Sequence, residues 1–188
     1  MTRIHVMGAS GSGTTTLGRA LGERLGLPHL DTDDAYWLPT DPPYTTPRPV
    51  PDRLAVLGER MAGASGWVLS GSALKWGQSL EPLYHLIVFL MLDPGLRMER
   101  IRRREVERYG ERILPGGDMA EPSTRFLEWA AAYDTSGPEQ RSLAAHEAWL
   151  STLTAPVLRL DTSRPVQDLV DEILLHPLVA AKGIAAPR

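Results

Sequence analysis

Three groups of residues have the types and spacing for chemistry on phosphate esters. The first is the glycine-rich run Gly8-Ala9-Ser10-Gly11-Ser12-Gly13-Thr14-Thr15, set after a strand-like segment and before a helical pattern. A loop of the form G-x-x-x-x-G-K-[ST] in that setting turns backbone N–H groups inward around an anion, with the partial positive charge of a helix N-terminus behind them. Gly8, Ser10, Gly11, Ser12, Gly13, Thr14, Thr15 and Thr16 are therefore the candidate residues for holding a nucleotide's phosphates. Thr15 stands at the hydroxyl position that meets Mg2+, and Thr14 stands where the pattern has lysine, the side chain that reaches the β- and γ-phosphates. The backbone cradle does not depend on that ammonium, so phosphate binding should survive its loss more easily than phosphoryl transfer. Lys75 or an arginine between positions 97 and 112 is the expected substitute.

The second group is Asp31 and Asp33, two apart at the end of a short strand-like segment, where both can face a cleft if the chain is already turning. A helix N-cap is the other role that aspartate favours there. The third group is a crowd of arginines from Arg97 to Arg112, in a chain with only two lysines, Lys75 and Lys182. Arg100 and Arg104 lie one helical turn apart and suit phosphate oxygens, which the planar guanidinium fork matches; pairing with Glu99, Glu105 and Glu107 on a solvated helix is the alternative. Arg48 and Arg53 follow a proline-rich stretch and suit a substrate carboxylate or phosphate. Trp37 is a candidate wall of the same pocket, with Tyr36 and Trp76, while Trp129 and Trp149 read as core. The five histidines have no metal-ligand spacing.

The elements that must position these groups alternate. Strands are expected at 3–7, 29–30, 67–69, 84–92 and 157–160, the fourth an apolar run ending at Asp93-Pro94 and suited to a strand buried on both faces. Helices are expected after the glycine loop, around 54–61, 95–109, 122–133 and 139–153, and after Pro165. Pro39, Pro42, Pro43, Pro47, Pro49 and Pro51 make 39–51 a loop. Strand–helix alternation implies an α/β fold, a parallel sheet with helices on both faces. Residues 1–178 read as one domain, with a lid and insertion at about 97–150, and 179–188 as a flexible, alanine-rich tail.

Composition narrows the function classes. A net charge of −3 is not the footprint of a nucleic-acid binder. No apolar run approaches the ~18 residues of a membrane span. The absence of cysteine removes disulfides and thiolate chemistry, which fits a cytoplasmic setting. The oligomeric state is open.

Taken together, the glycine loop, Asp31-Thr32-Asp33 after the second strand, Val68-Leu69-Ser70-Gly71-Ser72 after the third and the arginines after the fourth resemble the adenylate-kinase/shikimate-kinase class of P-loop kinases. Leu30-Asp31 with Tyr36-Trp37, and Trp67-Val68-Leu69-Ser70-Gly71, are most similar to small kinase-like proteins described as topology-modulation or AAA-like ATPases. The likeness spans roughly residues 3–175. It implies the three-layer P-loop fold with five parallel strands ordered 2-3-1-4-5, an ATP–Mg2+ donor site, a mobile arginine-bearing lid and a small-molecule acceptor, with nucleoside monophosphates the commonest acceptors of the class. It further implies that Asp31 is the metal-side carboxylate, that Asp33 engages the acceptor as a general base, and that Arg100 and Arg104 neutralise the transferring phosphoryl group. Ser-Gly-Ser stands here where shikimate kinases carry Gly-Gly-Gly, so shikimate is not the expected acceptor. A nucleotide-binding protein without turnover is the first alternative. A sulfotransferase is the second, since Ser12-Gly13-Thr14-Thr15 resembles that family's donor loop.

Overall fold

The computed structural model describes residues 1–181. Five strands, β1 (Thr2–Gly8), β2 (His29–Asp31), β3 (Gly66–Ser70), β4 (Leu86–Met91) and β5 (Val157–Asp161), form one parallel sheet in the order β2-β3-β1-β4-β5. The order matches the expectation. The three central strands, β3, β1 and β4, are buried on both faces, and their alternate residues feed two different cores. Ile4, Val6, Val68, Leu86, Val88 and Leu90 meet Leu17 and Leu21 of α1 (Thr14–Leu25) and Leu169, Val170 and Ile173 of α7 (Val166–Leu175). Met7, Trp67, Leu69, Ile87 and Phe89 face Ala35 of α2 (Thr32–Tyr36), Leu57 of α3 (Val50–Met61) and Leu150 of α6 (Leu143–Leu150).

A third cluster lies beyond the sheet. Met98 and Ile101 of α4 (Pro94–Tyr109) pack with Phe126, Leu127, Trp129 and Ala130 of α5 (Ala120–Ala131). The buried Glu105 accepts a 2.8 Å hydrogen bond from Ser123, fastening these two helices together.

Sequence expectations differ from the structure at several ends. The acidic run is not a strand extension: Asp31 caps α2, accepting from the Asp33 amide at 3.0 Å, so the chain turns helical at Thr32. Asp93 likewise caps α4 through the Leu96 amide at 3.1 Å and does not line the cleft. The start of the flexible tail expected at 179–188 is instead ordered, since α8 (Pro177–Ala180) buries Val179 against α7 and the first core. The rest of the expected tail, Lys182 included, lies outside the described residues. Among the described residues no helix is long and apolar enough to cross a membrane.

Candidate functional site

The carboxyl ends of β1, β2 and β3 open into a cleft of about 1570 Å3 that holds nearly all the candidate residues. The glycine loop forms one end of it. Ser12 closes the loop on itself, its amide and hydroxyl both donating to the Ala9 carbonyl at 3.2 and 2.8 Å. Ser12 is therefore a strut, and its amide is not among those offered to a ligand. Two loop glycines are required by space. A side chain on Gly8 would meet the Leu90 carbonyl at 2.7 Å, and one on Gly11 the Arg97 carbonyl at the same distance. Gly8 thus lies beneath the loop and does not line the cleft.

Gly13 is the N-cap of α1 with a left-handed backbone, φ 95°, and no side chain caps the helix. The first amides of α1, which have no intrahelical partner, thus face the cleft at Thr14, Thr15 and Thr16, and no acidic residue stands in that first turn to repel an anion.

The expected metal pair is in contact. The Thr15 hydroxyl donates to the Asp31 carboxylate at 2.6 Å. Ser70 donates to the same oxygen at 3.1 Å and lies 2.9 Å from the His29 ring, which fixes the orientation of Asp31. Two oxygens of this kind are hard donors, suited to Mg2+, which takes few protein ligands and keeps phosphate oxygens and waters for the rest. Among the described residues no three His, Asp or Glu side chains converge as a metal cage.

Asp33 projects one helical step further into the cleft. Its carboxyl sits deep in the cleft yet opens onto the cleft's own solvent. Protein crowding lifts its pKa above the ordinary carboxylate range, and Asp31 adds to the rise against the opposing pull of Arg141, Arg104 and Arg108.

Arg100, Arg104 and Arg108 repeat along one face of α4 at four-residue spacing, and all three line the cleft. Arg100 donates to the Thr162 carbonyl at 3.1 Å and approaches the space beside Gly13. Arg104 makes no ion pair or hydrogen bond among the described residues; burial lowers its pKa, and its Nε is shut off from solvent. Arg97, on the same helix, is a different residue altogether. It is 1% exposed, bonded to the carbonyls of Ser10 and Ala130 and paired with Asp134 at 2.7 Å, so it braces the loop from behind.

The other end of the cleft is aromatic. Tyr36, Trp37 and Tyr44 meet edge to face, with Trp76 beside Tyr36. Arg53 is largely buried, its guanidinium 3.7 Å from the centre of the Tyr36 ring. Arg48 is the misplaced candidate. It does not line the cleft but donates to the Ala35 carbonyl at 3.0 Å, tying the proline-rich loop back to α2. The expectation failed because the sequence does not reveal that the loop folds onto that helix. Lys75, in a left-handed conformation with φ 70°, lines the cleft but spends its ammonium on the Glu139 carbonyl.

Two residues were not foreseen. Arg141 reaches the Gly8 carbonyl at 3.0 Å from just before α6, and Trp129, read as core, lies beneath its guanidinium. The segment around Arg141 carries no motif. The empty lysine position was the available signal that a cation must come from elsewhere.

No family model matches the chain. A relative, the uncharacterized protein YqaC of Bacillus subtilis, is 44% identical over 171 residues, 91% of this chain and 94% of that protein. The chain belongs to the YqaC family. Among solved structures, a gluconokinase from Sinorhizobium meliloti is 25% identical with a TM-score of 0.52, covering 96% of this chain and 92% of its own. A shikimate kinase from Acinetobacter baumannii, in complex with shikimate, shares the fold at 18% identity and a TM-score of 0.56, covering 98% and 96%. With the loop and the strand order, these likenesses put this YqaC family chain in the P-loop class of small-molecule and nucleotide kinases.

Proposed function

We propose that this protein transfers the γ-phosphoryl group of ATP to the hydroxyl of a small acceptor that also carries an anionic group. The observation that carries the reading is the 2.6 Å contact between Thr15 and Asp31, set beside the uncapped start of α1 and facing a second, more basic carboxylate. The loop amides hold the donor's phosphates. Thr15 and Asp31 are the residues that would hold Mg2+, which when bound neutralises charge on the β- and γ-oxygens. Asp33 accepts the proton of the acceptor hydroxyl as its oxygen bonds to phosphorus, and a raised pKa strengthens it as a base. Arg104 has no carboxylate partner among the described residues and offers its guanidinium to the charge that spreads over the transferring group. Arg53 and Arg108 face the acceptor's anion, and the aromatic wall excludes water behind it.

A nucleoside monophosphate is the second acceptor class. The rings of Tyr36, Trp37 and Trp76 favour it, whereas the Asp33 carboxylate would confront its phosphate nucleophile. The Asp31 contact, which serves a metal-dependent kinase, supports this reading over a sulfotransferase. Thr14 at the lysine position favours a nucleotide-binding role without turnover. The setting proposed is cytoplasmic, where ATP is supplied.

The test is ADP formation from ATP–Mg2+ with panels of hydroxy acids, phosphorylated alcohols and nucleoside monophosphates. Turnover highest with an anionic alcohol is the expected result. Turnover with nucleoside monophosphates alone selects the second acceptor class, and ATP binding with no ADP from any panel leaves the non-catalytic role.

A further inference from the structure

The part-buried Arg141 guanidinium, on the cleft beside the phosphate loop, makes one hydrogen bond and no ion pair, and like Arg104 it has no carboxylate partner among the described residues. Arg97 shows how the fold treats a buried arginine: a carboxylate and two carbonyls answer it. Arg112, Arg125, Arg159 and Arg164 each meet an aspartate or glutamate within 2.7 Å. Arg141 does not. Its one hydrogen bond among the described residues runs to the Gly8 carbonyl, and its Nε is shut off from solvent with no partner. With Nε shut off from solvent and no carboxylate beside it, the guanidinium keeps donors to offer an anion in the cleft.

Where that anion sits follows from the neighbours. Gly8 is the first residue of the phosphate loop, and Asp33, on the acceptor side, is the largest attractive charge acting on Arg141. The guanidinium therefore stands between the two ends of the cleft, where a phosphoryl group passes from one to the other.

Its placement is rigid. Ser142 caps α6, accepting from the Ala145 amide at 3.0 Å and donating to the Gly137 carbonyl at 2.7 Å. Lys75 grips the Glu139 carbonyl two residues before Arg141. Behind them Tyr133, His146 and Ser72 form a hydrogen-bonded chain, 2.7 and 3.3 Å long in its two links. Of the other cations, Arg97 is spent on bracing and Arg100 on the Thr162 carbonyl, while Arg104 lines the cleft without a hydrogen bond to the loop.

We propose that Arg141 supplies, from 127 positions further along the chain, the cation for the γ-phosphoryl group that Thr14 cannot supply. Arg141 makes and breaks no covalent bond. The β–γ bridging bond breaks, the acceptor oxygen bonds to phosphorus, its proton goes to Asp33, and ADP leaves, while the guanidinium stays on the equatorial oxygens throughout. This rests on the kinase reading above, and Lys75 becomes a positioning residue for the segment that carries Arg141.

The experiment measures ATP, ADP and tripolyphosphate binding by calorimetry for the wild type, Arg141→Ala, Arg141→Lys and the double variant Thr14→Lys/Arg141→Ala, with circular dichroism to verify folding. Arg141→Ala should weaken ATP by roughly tenfold or more, the loss expected for a charge-assisted hydrogen bond, while ADP changes less than about threefold. Arg141→Lys should lie between them. The double variant should regain ATP affinity to within about threefold of wild type, because the ammonium returns to the place the pattern gives it.

Equal ATP affinity in wild type and Arg141→Ala overturns the assignment and leaves the kinase reading standing. Equal losses for ATP and ADP overturn it too, since the residue then only supports the loop. Should Arg141→Ala not fold, the ratio of ATP to ADP affinity in Arg141→Lys decides by the same criterion. Selective loss of ATP affinity without ADP formation from any acceptor sustains the assignment and sinks the transferase. A wild type that binds neither ATP nor tripolyphosphate ends both.

Discussion

The two ends of the cleft are built on different principles. The donor end is made of backbone. Its amides are aimed by Gly13, spaced by Gly8 and Gly11 against β4 and α4, and braced by Ser12 and Arg97. The acceptor end is made of side chains drawn from α2, α3, α4, the proline-rich loop and the segment before α6. A backbone site needs a fixed order of small residues at fixed spacing, so it tolerates little change of sequence. A side-chain site needs only that certain chemical groups arrive, and they can arrive from anywhere. On the kinase reading proposed above, donor specificity would thereby be locked into the fold, while acceptor specificity would be free to vary on the same frame.

Substitutions can break or sharpen this contrast. The largest effect is expected from Asp33→Asn, which should cut acceptor-dependent ADP formation by roughly 10^2–10^4-fold, the usual worth of a general base, while ATP affinity stays within about twofold. Turnover near wild type would remove Asp33 from the chemistry. Asp31→Asn touches the metal side of the donor end and should raise the Mg2+ concentration for half-maximal ATP binding by about 10–100-fold; calorimetry across a Mg2+ series measures it, and an unchanged requirement places the ion elsewhere.

Gly8→Ala should strike the donor end through packing alone. A methyl group 2.7 Å from the Leu90 carbonyl and 2.6 Å from the Ser12 hydroxyl forces the loop off β4, costing about 1–3 kcal/mol in urea unfolding and the ATP-induced thermal shift with it. An intact shift would mean that the loop tolerates displacement. Trp37→Ala should raise the acceptor KM by about tenfold, a loss near 1.4 kcal/mol, and leave ATP affinity alone; a changed ATP affinity would show the two ends to be coupled.

The smallest effect concerns stability. The raised pKa of Asp33 means that the folded state prefers its protonated form, so this group favours folding below its unfolded pKa and loses that contribution as pH rises through the folded value. Asp33→Asn should therefore raise the Tm of the ligand-free protein at pH 7 by on the order of 1–3 °C, kept small by cleft solvent, with no gain at pH 3. A lower Tm at pH 7 would count against strain at this carboxylate.

Legibility in the sequence follows the same division. The strands, the burial of β4 and the loop were readable because each depends on local spacing: Ile4 and Val6 alternate with His5 and Met7, and the glycines fall where the phosphate pattern needs them; the strand order came only from the resemblance to P-loop kinases. The Thr15–Asp31 contact was half readable, since each residue sat in a motif but their meeting depended on α1 lying beside β2. Arg141 was not readable. Nothing in Gln140-Arg141-Ser142 marks it, and its contact with Gly8 depends on a chain reversal that brings the segment before α6 back to β1. Arg48 misled for the complementary reason, since a cation beside a pocket in sequence was spent on the carbonyl of Ala35 in space.

The Arg112 guanidinium binds Asp41 of the proline-rich loop and Asp118 of the turn before α5, at 2.7 and 2.6 Å, in plain view of solvent. The proline-rich loop and the turn before α5 are thus tied at one point. Because exposed ion pairs loosen as salt rises, rising ionic strength slackens this tie.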